Sequence, residues 1–376
     1  MGVLSRPQRV FYDFNMKTLP FNLAINPVSF GQVSTAILRE LKKRDQPIIL
    51  SPIAGQVDLS SQPEDADFQE WLDKAIKAFA RNHSRQNRVF KLWHLNGSME
   101  SLSNEQVLFS FYELDDPTRE ELNIINNNYK VIFSCSETVA RFQELGCKNV
   151  DYMPLAFDST NFYKTDKTYF TDDRVTFSIV GKFESRKNHE KMVRAWLKKY
   201  GNNRNYSLQC AMWNPFLKPE QNNQIAQGLM GNENYFNVVF SGYMQKNEMY
   251  NDFLNSSDVV LGMSGGEGWG LPEFQSVCLG KHAVLLNASA YKDWANKDNA
   301  VLVEPSGKRD VYDGVFFHEG QPYNQGQIYD FDEDDFISGC EEAAKRVRAS
   351  RTNTVGEKLK EEFTYSKMVD SILEVM

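Results

Sequence analysis

Glu267 stands inside the run Ser264-Gly-Gly-Glu-Gly-Trp-Gly-Leu-Pro272. Glycines at 265, 266, 268 and 270 let a backbone approach a ligand closely. The apolar run Asp258–Gly262 before it reads as a buried strand. The stretch Pro272–Leu279 after it reads as a helix, with proline suited to the first helical position and Gly280 past the end. Free N–H groups and the dipole at a helix start favour an anion, and phosphate fits that chemistry. A carboxylate does not belong in a bare anion site. It makes sense where the ligand also carries hydroxyls, because Glu267 can accept hydrogen bonds from a sugar diol. A tight strand-to-helix turn with no ligand is the plainer alternative. The dinucleotide fingerprint is excluded, because the glycines it needs fall on Leu271 and Glu273, and no Walker-type Gly-Lys-Ser/Thr loop occurs.

A second group of charges follows the strand Arg174–Val180, in Gly181-Lys-Phe-Glu-Ser-Arg-Lys-Asn188. Lys182 and Lys187 there can offset a leaving group that gains negative charge as a bond to it breaks. In the first half, His94 ends the strand Arg88–Leu95 and is followed by Asn96, while Glu113 ends the strand Val107–Glu113. The carboxyl ends of strands are where open α/β sheets place ligand groups. Gly31 lies at a strand-to-helix loop, a further place for backbone N–H groups to meet phosphate. Lys74, Lys77 and Arg81 share one face of an amphipathic helix, with Arg85, Arg88 and Lys91 soon after. They read either as a solvated face or as a local basic patch guiding an anionic acceptor towards the cleft. Asp330-x-Asp332 resembles a metal-binding pair but abuts three more acids, and reads as the start of a helix.

The elements that must position these groups alternate. Strand Phe21–Ile25, helix Val33–Lys43 and strand Gln46–Ser51 give β-α-β, the beginning of a parallel doubly wound sheet. Helix Phe68–Ala80, strand Lys130–Ser134 and helix Ser136–Leu145 continue the first half, and Asp116 is placed to cap a helix beginning at Pro117. After a polar linker near 159–173 come helix His189–Tyr200, strands Tyr206–Met212 and Phe236–Ser241, helix Lys246–Asn255, and strands His282–Leu286 and Ala300–Glu304. Residues 1–20 read as an irregular lead-in and residues 305–331, polar and glycine-spaced, as a surface insertion. Helices 335–349 and 365–376 complete the chain.

The chain has 376 residues, enough for two ordinary domains, with 41% hydrophobic and 24% charged residues. Its formal net charge of −8 provides no global attraction for nucleic acid or anionic membrane. Five scattered cysteines with no Cys-x-x-Cys pair point away from a disulfide framework or zinc site. The first 25 residues lack the apolar core of a signal peptide, and no run reaches a membrane span of roughly 18 residues. A cytoplasmic protein is the expectation.

Glu267-Gly-Trp-Gly-Leu-Pro272 resembles the donor-site signature of retaining glycosyltransferases of family four, Glu-Gly-Phe-Gly-Leu-Pro with a second Glu eight residues after the first. That second position is Gln275 here, which can hydrogen-bond a ribose hydroxyl but without charge. The family's Gly-Arg-Leu loop ending in Lys-Gly is similar to Gly181–Asn188, with Lys182 for the Arg and Asn188 for the Gly. Phe111-Tyr-Glu-Leu-Asp-Asp-Pro117 resembles a Phe-Glu-x-Asp-x-x-Pro pattern in a subset of these enzymes, and Tyr152–Asp158 resembles a Val-Pro-Leu-Gly-Val-Asp segment before the second domain.

The resemblance implies a GT-B fold: two facing Rossmann-like α/β domains with parallel sheets. The expected bounds are 1–165 for the acceptor side, 166–355 for the nucleotide-sugar side, and 356–376 for a helix crossing back. It implies retaining transfer from a nucleotide sugar such as a UDP- or GDP-sugar, with no metal or other cofactor. Glu267, Lys187 and His94 would carry the chemistry. Lys182 and Lys187 would bind the donor's pyrophosphate, and Gly31, Gly266, Glu267, Gly268, Trp269, Gly270, Leu271 and Gln275 would complete the donor site. His94, Asn96 and Glu113 would face the acceptor, joined by Lys77 and Arg81 if the acceptor is a polyanion. Two readings stay open beside this one: a transferase acting on a nucleic-acid base, and a non-catalytic nucleotide-sugar-binding module.

Overall fold

The computed structural model describes residues 17–168, 172–314 and 316–376. Most of the irregular lead-in and part of the linker lie outside them. The first half runs β1 (Leu19–Ile25), α1 (Ser29–Lys43), β2 (Ile48–Val57), α2 (Ala66–Asn82), β3 (Val89–Leu92), β4 (Gln106–Ser110), α3 (Arg119–Asn126), β5 (Lys130–Phe133), α4 (Ser136–Glu144) and β6 (Val150–Tyr152). The second runs β7 (Val175–Gly181), α5 (His189–Tyr200), β8 (Tyr206–Met212), α6 (Pro219–Met230), β9 (Val238–Phe240), α7 (Asn247–Asn255), β10 (Val259–Gly262), α8 (Leu271–Cys278), β11 (His282–Leu286) and β12 (Val301–Val303). Then come β13 (Gly307–Asp310), β14 (Gln327–Asp330), α9 (Glu333–Ala349), α10 (Thr354–Glu357), α11 (Leu359–Glu362) and α12 (Tyr365–Val375).

The strands form two parallel six-stranded sheets, β2-β1-β3-β4-β5-β6 and β12-β11-β10-β7-β8-β9. Helices cover both faces, so the central strands carry continuous apolar runs: all seven residues of β1 are buried, as are Val175 to Val180 in β7. The order in which the chain adds strands to the second sheet reverses between β7 and β10, which opens a crevice at their carboxyl ends. The loops holding Lys182–Lys187 and Ser264–Gly270 leave from those two strands.

The halves meet extensively. On α12, Met368, Val369 and Ile372 join the core of the first half, and Arg44 pairs with Asp370 at 2.6 Å. At one end of the cleft Gln32 on α1 and Asn247 on α7 exchange amide hydrogen bonds at 3.1 and 2.9 Å. At the other lies the segment expected to be a surface insertion. Instead β13 and β14 pair as an antiparallel hairpin, and the N–H of Tyr329 donates to the carbonyl of Gly265 at 2.9 Å. Val311, Phe317 and Ile328 are buried in one cluster with Leu108, Tyr112 and Ile125 of the first half. Its apolar residues are spaced among polar ones because the hairpin packs by separate points on two different surfaces.

Two local expectations change. The cap of α3 is Thr118, not Asp116: its hydroxyl accepts from Glu121 N–H at 3.1 Å, and the Glu121 carboxylate accepts from Thr118 N–H at 2.8 Å. This reciprocal box satisfies two otherwise orphaned donors, which one aspartate cannot do. Helix α1 begins four residues earlier than its apolar face suggested, so Gly31 is buried in its first turn. A Cβ there would lie 2.1 Å from the Asn26 carbonyl. Close packing onto the preceding turn, rather than an open phosphate loop, accounts for that glycine.

Candidate active site

The two loops at the crevice are stitched together. Gly265 N–H donates to the Arg186 carbonyl at 2.9 Å, Arg186 donates to the Gly266 carbonyl at 2.6 Å, and Asn188 donates to the Met263 carbonyl at 2.8 Å. The stitching holds Glu267, 5% exposed, between two cations: Lys187 Nζ at 2.5 Å and Arg186 Nη1 at 3.1 Å. Burial alone would raise the Glu267 pKa, but Lys187 and Arg186 outweigh it and hold the carboxyl at about 2. Burial works against the charge on Lys187 as well, and Glu267 more than offsets it, so the ammonium stays protonated. The sequence suggested separate partners for these two residues, and the structure joins them to each other.

The glycines have a structural reason. A Cβ on Gly266 would lie 2.1 Å from the Glu113 carbonyl, and one on Gly268 would lie 2.7 Å from Phe111 Cβ. The end of β4 therefore packs directly on the glycine loop, and Ser134 adds a bond to the Gly268 carbonyl at 2.6 Å. Gly270 caps α8 with φ of +79°, where a Cβ would meet the Tyr291 ring at 2.4 Å. Trp269, counted among the donor-binding residues by sequence, turns its ring inward. It is 2% exposed and edges Phe274 at 5.3 Å and Phe363 at 5.4 Å, so only its backbone is left to face a ligand. Leu271 opens α8, and Gln275 is buried one turn further on.

Three residues emerge that sequence reasoning passed over. Arg186, 5% exposed, reaches Glu184 and Glu113 at 2.7 Å each besides Glu267. Glu184 in turn pairs with Lys182 at 3.1 Å. Glu273 on α8 is 2% exposed, with its carboxyl against the buried Tyr291 hydroxyl. Its burial, resisted by Lys187 and reinforced by the charge of Glu267, raises its pKa to about 7. An acid within a short apolar helix beside a glycine turn was the available signal for Glu273. No periodicity signals Arg186, whose partners come from three separate segments.

Across the crevice His94 and Asn96 remain exposed at the end of β3. His94 packs against Phe30 at 4.5 Å, and the crowding of the cleft walls, with Lys182 nearby, lowers its pKa. Glu113 is half-buried beside Arg186. Burial raises its pKa to about 7 despite the pull of Arg186, with Glu184 and Glu267 pushing the same way as burial.

The basic patch does not reach this cleft. Helix α2 runs back from the carboxyl ends of the strands, so Lys77 and Arg81, in its C-terminal half, lie towards the opposite edge of the sheet. Lys74 pairs with Glu70 at 2.7 Å, Arg88 with Glu105 at 2.9 Å, and Arg85 donates to the Ser101 carbonyl. Lys91 is buried and donates to the carbonyls of Gly97 and Glu100. Asp332 caps α9 and Asp330 pairs with Lys191, so the Asp330-x-Asp332 pair serves the fold.

No family model matches the chain, and no curated protein matches it in sequence. Solved structures match its fold across nearly the whole length. Sucrose-phosphate synthase from Thermosynechococcus elongatus superposes with a TM-score of 0.64 at 12% identity, covering 96% of this chain and 98% of that one. HepE from Anabaena, solved with UDP-glucose, gives 0.61 at 13% identity, covering 95% and 98%. The catalytic domain of starch synthase IV from Arabidopsis thaliana, bound to ADP and acarbose, gives 0.61 at 8% identity, covering 96% and 98%. The fold is GT-B: two parallel six-stranded sheets with alternating helices.

Proposed function

We propose that this chain is a nucleotide-sugar-dependent glycosyltransferase that retains the configuration of the transferred sugar. The carrying observation is the pairing of the two loops at the switch point of the second sheet, with an ionised Glu267 fixed among cations and His94 opposite. The likeness to HepE solved with UDP-glucose and to a starch synthase domain bound to ADP supports a sugar nucleotide as the donor.

In this reading Lys182 and the N-terminus of α8 meet the donor's diphosphate, and Lys187 keeps Glu267 ionised and aimed at the sugar hydroxyls. The charge that develops on the leaving phosphate falls in a buried, preorganised setting, where fixed cations act most strongly. The leaving phosphate takes the acceptor's proton, so a pair of carboxylates flanking the bond is not needed. These cations do the work of a metal, and transfer should persist in EDTA. The position of Lys77 and Arg81 takes away the main support for a nucleic-acid acceptor.

Thermal unfolding with UDP-glucose, GDP-mannose and ADP-glucose tests the donor class. A ligand at a hundred times its dissociation constant stabilises the native state by about 2.7 kcal/mol, a clear rise in midpoint. No shift with any of the three overturns the reading.

A further inference from the structure

Glu113 and Arg186 come from opposite halves of the chain and meet at 2.7 Å across the cleft. Their approach is built in, because the Glu113 backbone packs on Gly266 and only glycine leaves room for it. On its other sides Arg186 is held by Glu184, Glu267 and the Gly266 carbonyl, all from its own half. The Glu113 contact is the one that faces out across the cleft, and the guanidinium Nε, although buried, has no partner. An arginine of this kind is suited to phosphate, since its planar fork presents parallel donors that match phosphate oxygens.

We propose that Arg186 is a ligand for the diphosphate of the donor and that this anion exchanges with the Glu113 carboxylate on the guanidinium. The inference rests on reading the cleft as a nucleotide-sugar site. It moves Glu113 from the acceptor side, where the sequence placed it, to the donor side. The diphosphate enters between the two side chains while the backbone of Glu113 stays packed on the glycine loop. Glu113 then faces an anion in place of a cation, and a carboxylate in that position takes up a proton and donates a hydrogen bond to the phosphate.

The groups facing Glu113 are Arg186, Glu184, Glu267 and Lys182. Of these, Arg186 stays charged throughout, and the other pairings within the second half remain. Without donor the Glu113 carboxyl titrates at about 7. With donor it titrates higher, because its cation has been taken and an anion added. Binding therefore takes up a proton above about neutral pH. Donor affinity rises as pH falls towards 7, by up to about tenfold per unit for one proton, and levels off below.

Titration calorimetry of the full chain tests this with UDP-glucose, GDP-mannose or ADP-glucose, whichever binds most tightly, at several values between about pH 6 and 9. These diphosphate diesters have no phosphate titration in that range, and below about pH 8.5, short of the uracil and guanine N–H ionisations, the slope belongs to the protein. The parent should show the rise, and Glu113→Gln should bind about tenfold more tightly than the parent at the alkaline end, with a flat profile. Glu273→Gln, which removes the other carboxyl titrating near 7, should keep the Glu113 slope. Arg186→Lys in the Glu113→Gln background should lose affinity, because a point charge cannot replace the fork. A bound donor with the same affinity and pH profile in Glu113→Gln overturns the proposal and leaves Glu113 as a contact between halves. A profile of opposite slope overturns it too. Failure of all three donors to bind overturns the nucleotide-sugar reading instead.

Discussion

Replacing Glu273 by Gln should stabilise the protein at alkaline pH, although the residue is buried and lies beside a lysine. The residue is 2% exposed, and its carboxyl lies against the buried Tyr291 hydroxyl. Burial is the dominant influence, and it raises the folded-state pKa from 4.5 to about 7. A raised carboxyl pKa means that folding favours the protonated form. The residue costs nothing below the unfolded value, and the cost grows as pH rises through the folded one. A shift of that size corresponds to about 3 kcal/mol, fully expressed above about pH 7 and absent below about pH 4.5. Gln keeps the volume and a hydrogen-bonding end but cannot ionise. Urea unfolding followed at several pH values, with linear extrapolation, reads this directly. The variant should exceed the parent by about 3 kcal/mol near pH 8, and the difference should close near pH 4.5. A variant that is less stable at alkaline pH, or a difference independent of pH, would refute the reasoning. It would mean that the Glu273 charge is needed by Lys187 more than its burial penalises it.

Three further outcomes follow from the geometry. Gly270→Ala should cost roughly 2 to 4 kcal/mol in urea unfolding, because the left-handed backbone and the Tyr291 ring both oppose a methyl group. Thr118→Ala should cost about 1 kcal/mol by the same measurement, the usual loss for a helix cap. Reversing Lys77 and Arg81 to Glu should leave donor binding and transfer unchanged at low salt, since these side chains lie away from the cleft, and a fall in transfer would restore a polyanionic acceptor.

The regular part of the fold was legible where apolar runs are continuous. Helix His189–Tyr200 and strands Tyr206–Met212 and His282–Leu286 have the bounds their patterns predict, because a parallel sheet buried on both faces writes itself as unbroken apolar stretches. The hairpin of β13 and β14 was hidden, since its contacts are scattered over two surfaces and its sequence is polar. Strand β6 was hidden because it is three residues long with two of them exposed. In the candidate site, the glycine loop and its acid were conspicuous as a local string. The cage around Arg186 was not, because Glu113, Glu184 and Glu267 reach it from different segments and only the fold brings them together. At Trp269 the motif gave residue type and not direction, and its ring turns into the core.

Proton NMR of the donor during turnover tests the central claim most directly. The best-binding nucleotide sugar is incubated with the parent chain and with Glu267→Gln, and the release of nucleoside diphosphate and the configuration of the first-formed sugar product are followed. The account predicts slow turnover by the parent, a product that first appears with the donor's anomeric configuration, and loss of turnover in the variant. Turnover that survives in Glu267→Gln, a first product of inverted configuration, or no turnover by the parent would contradict it.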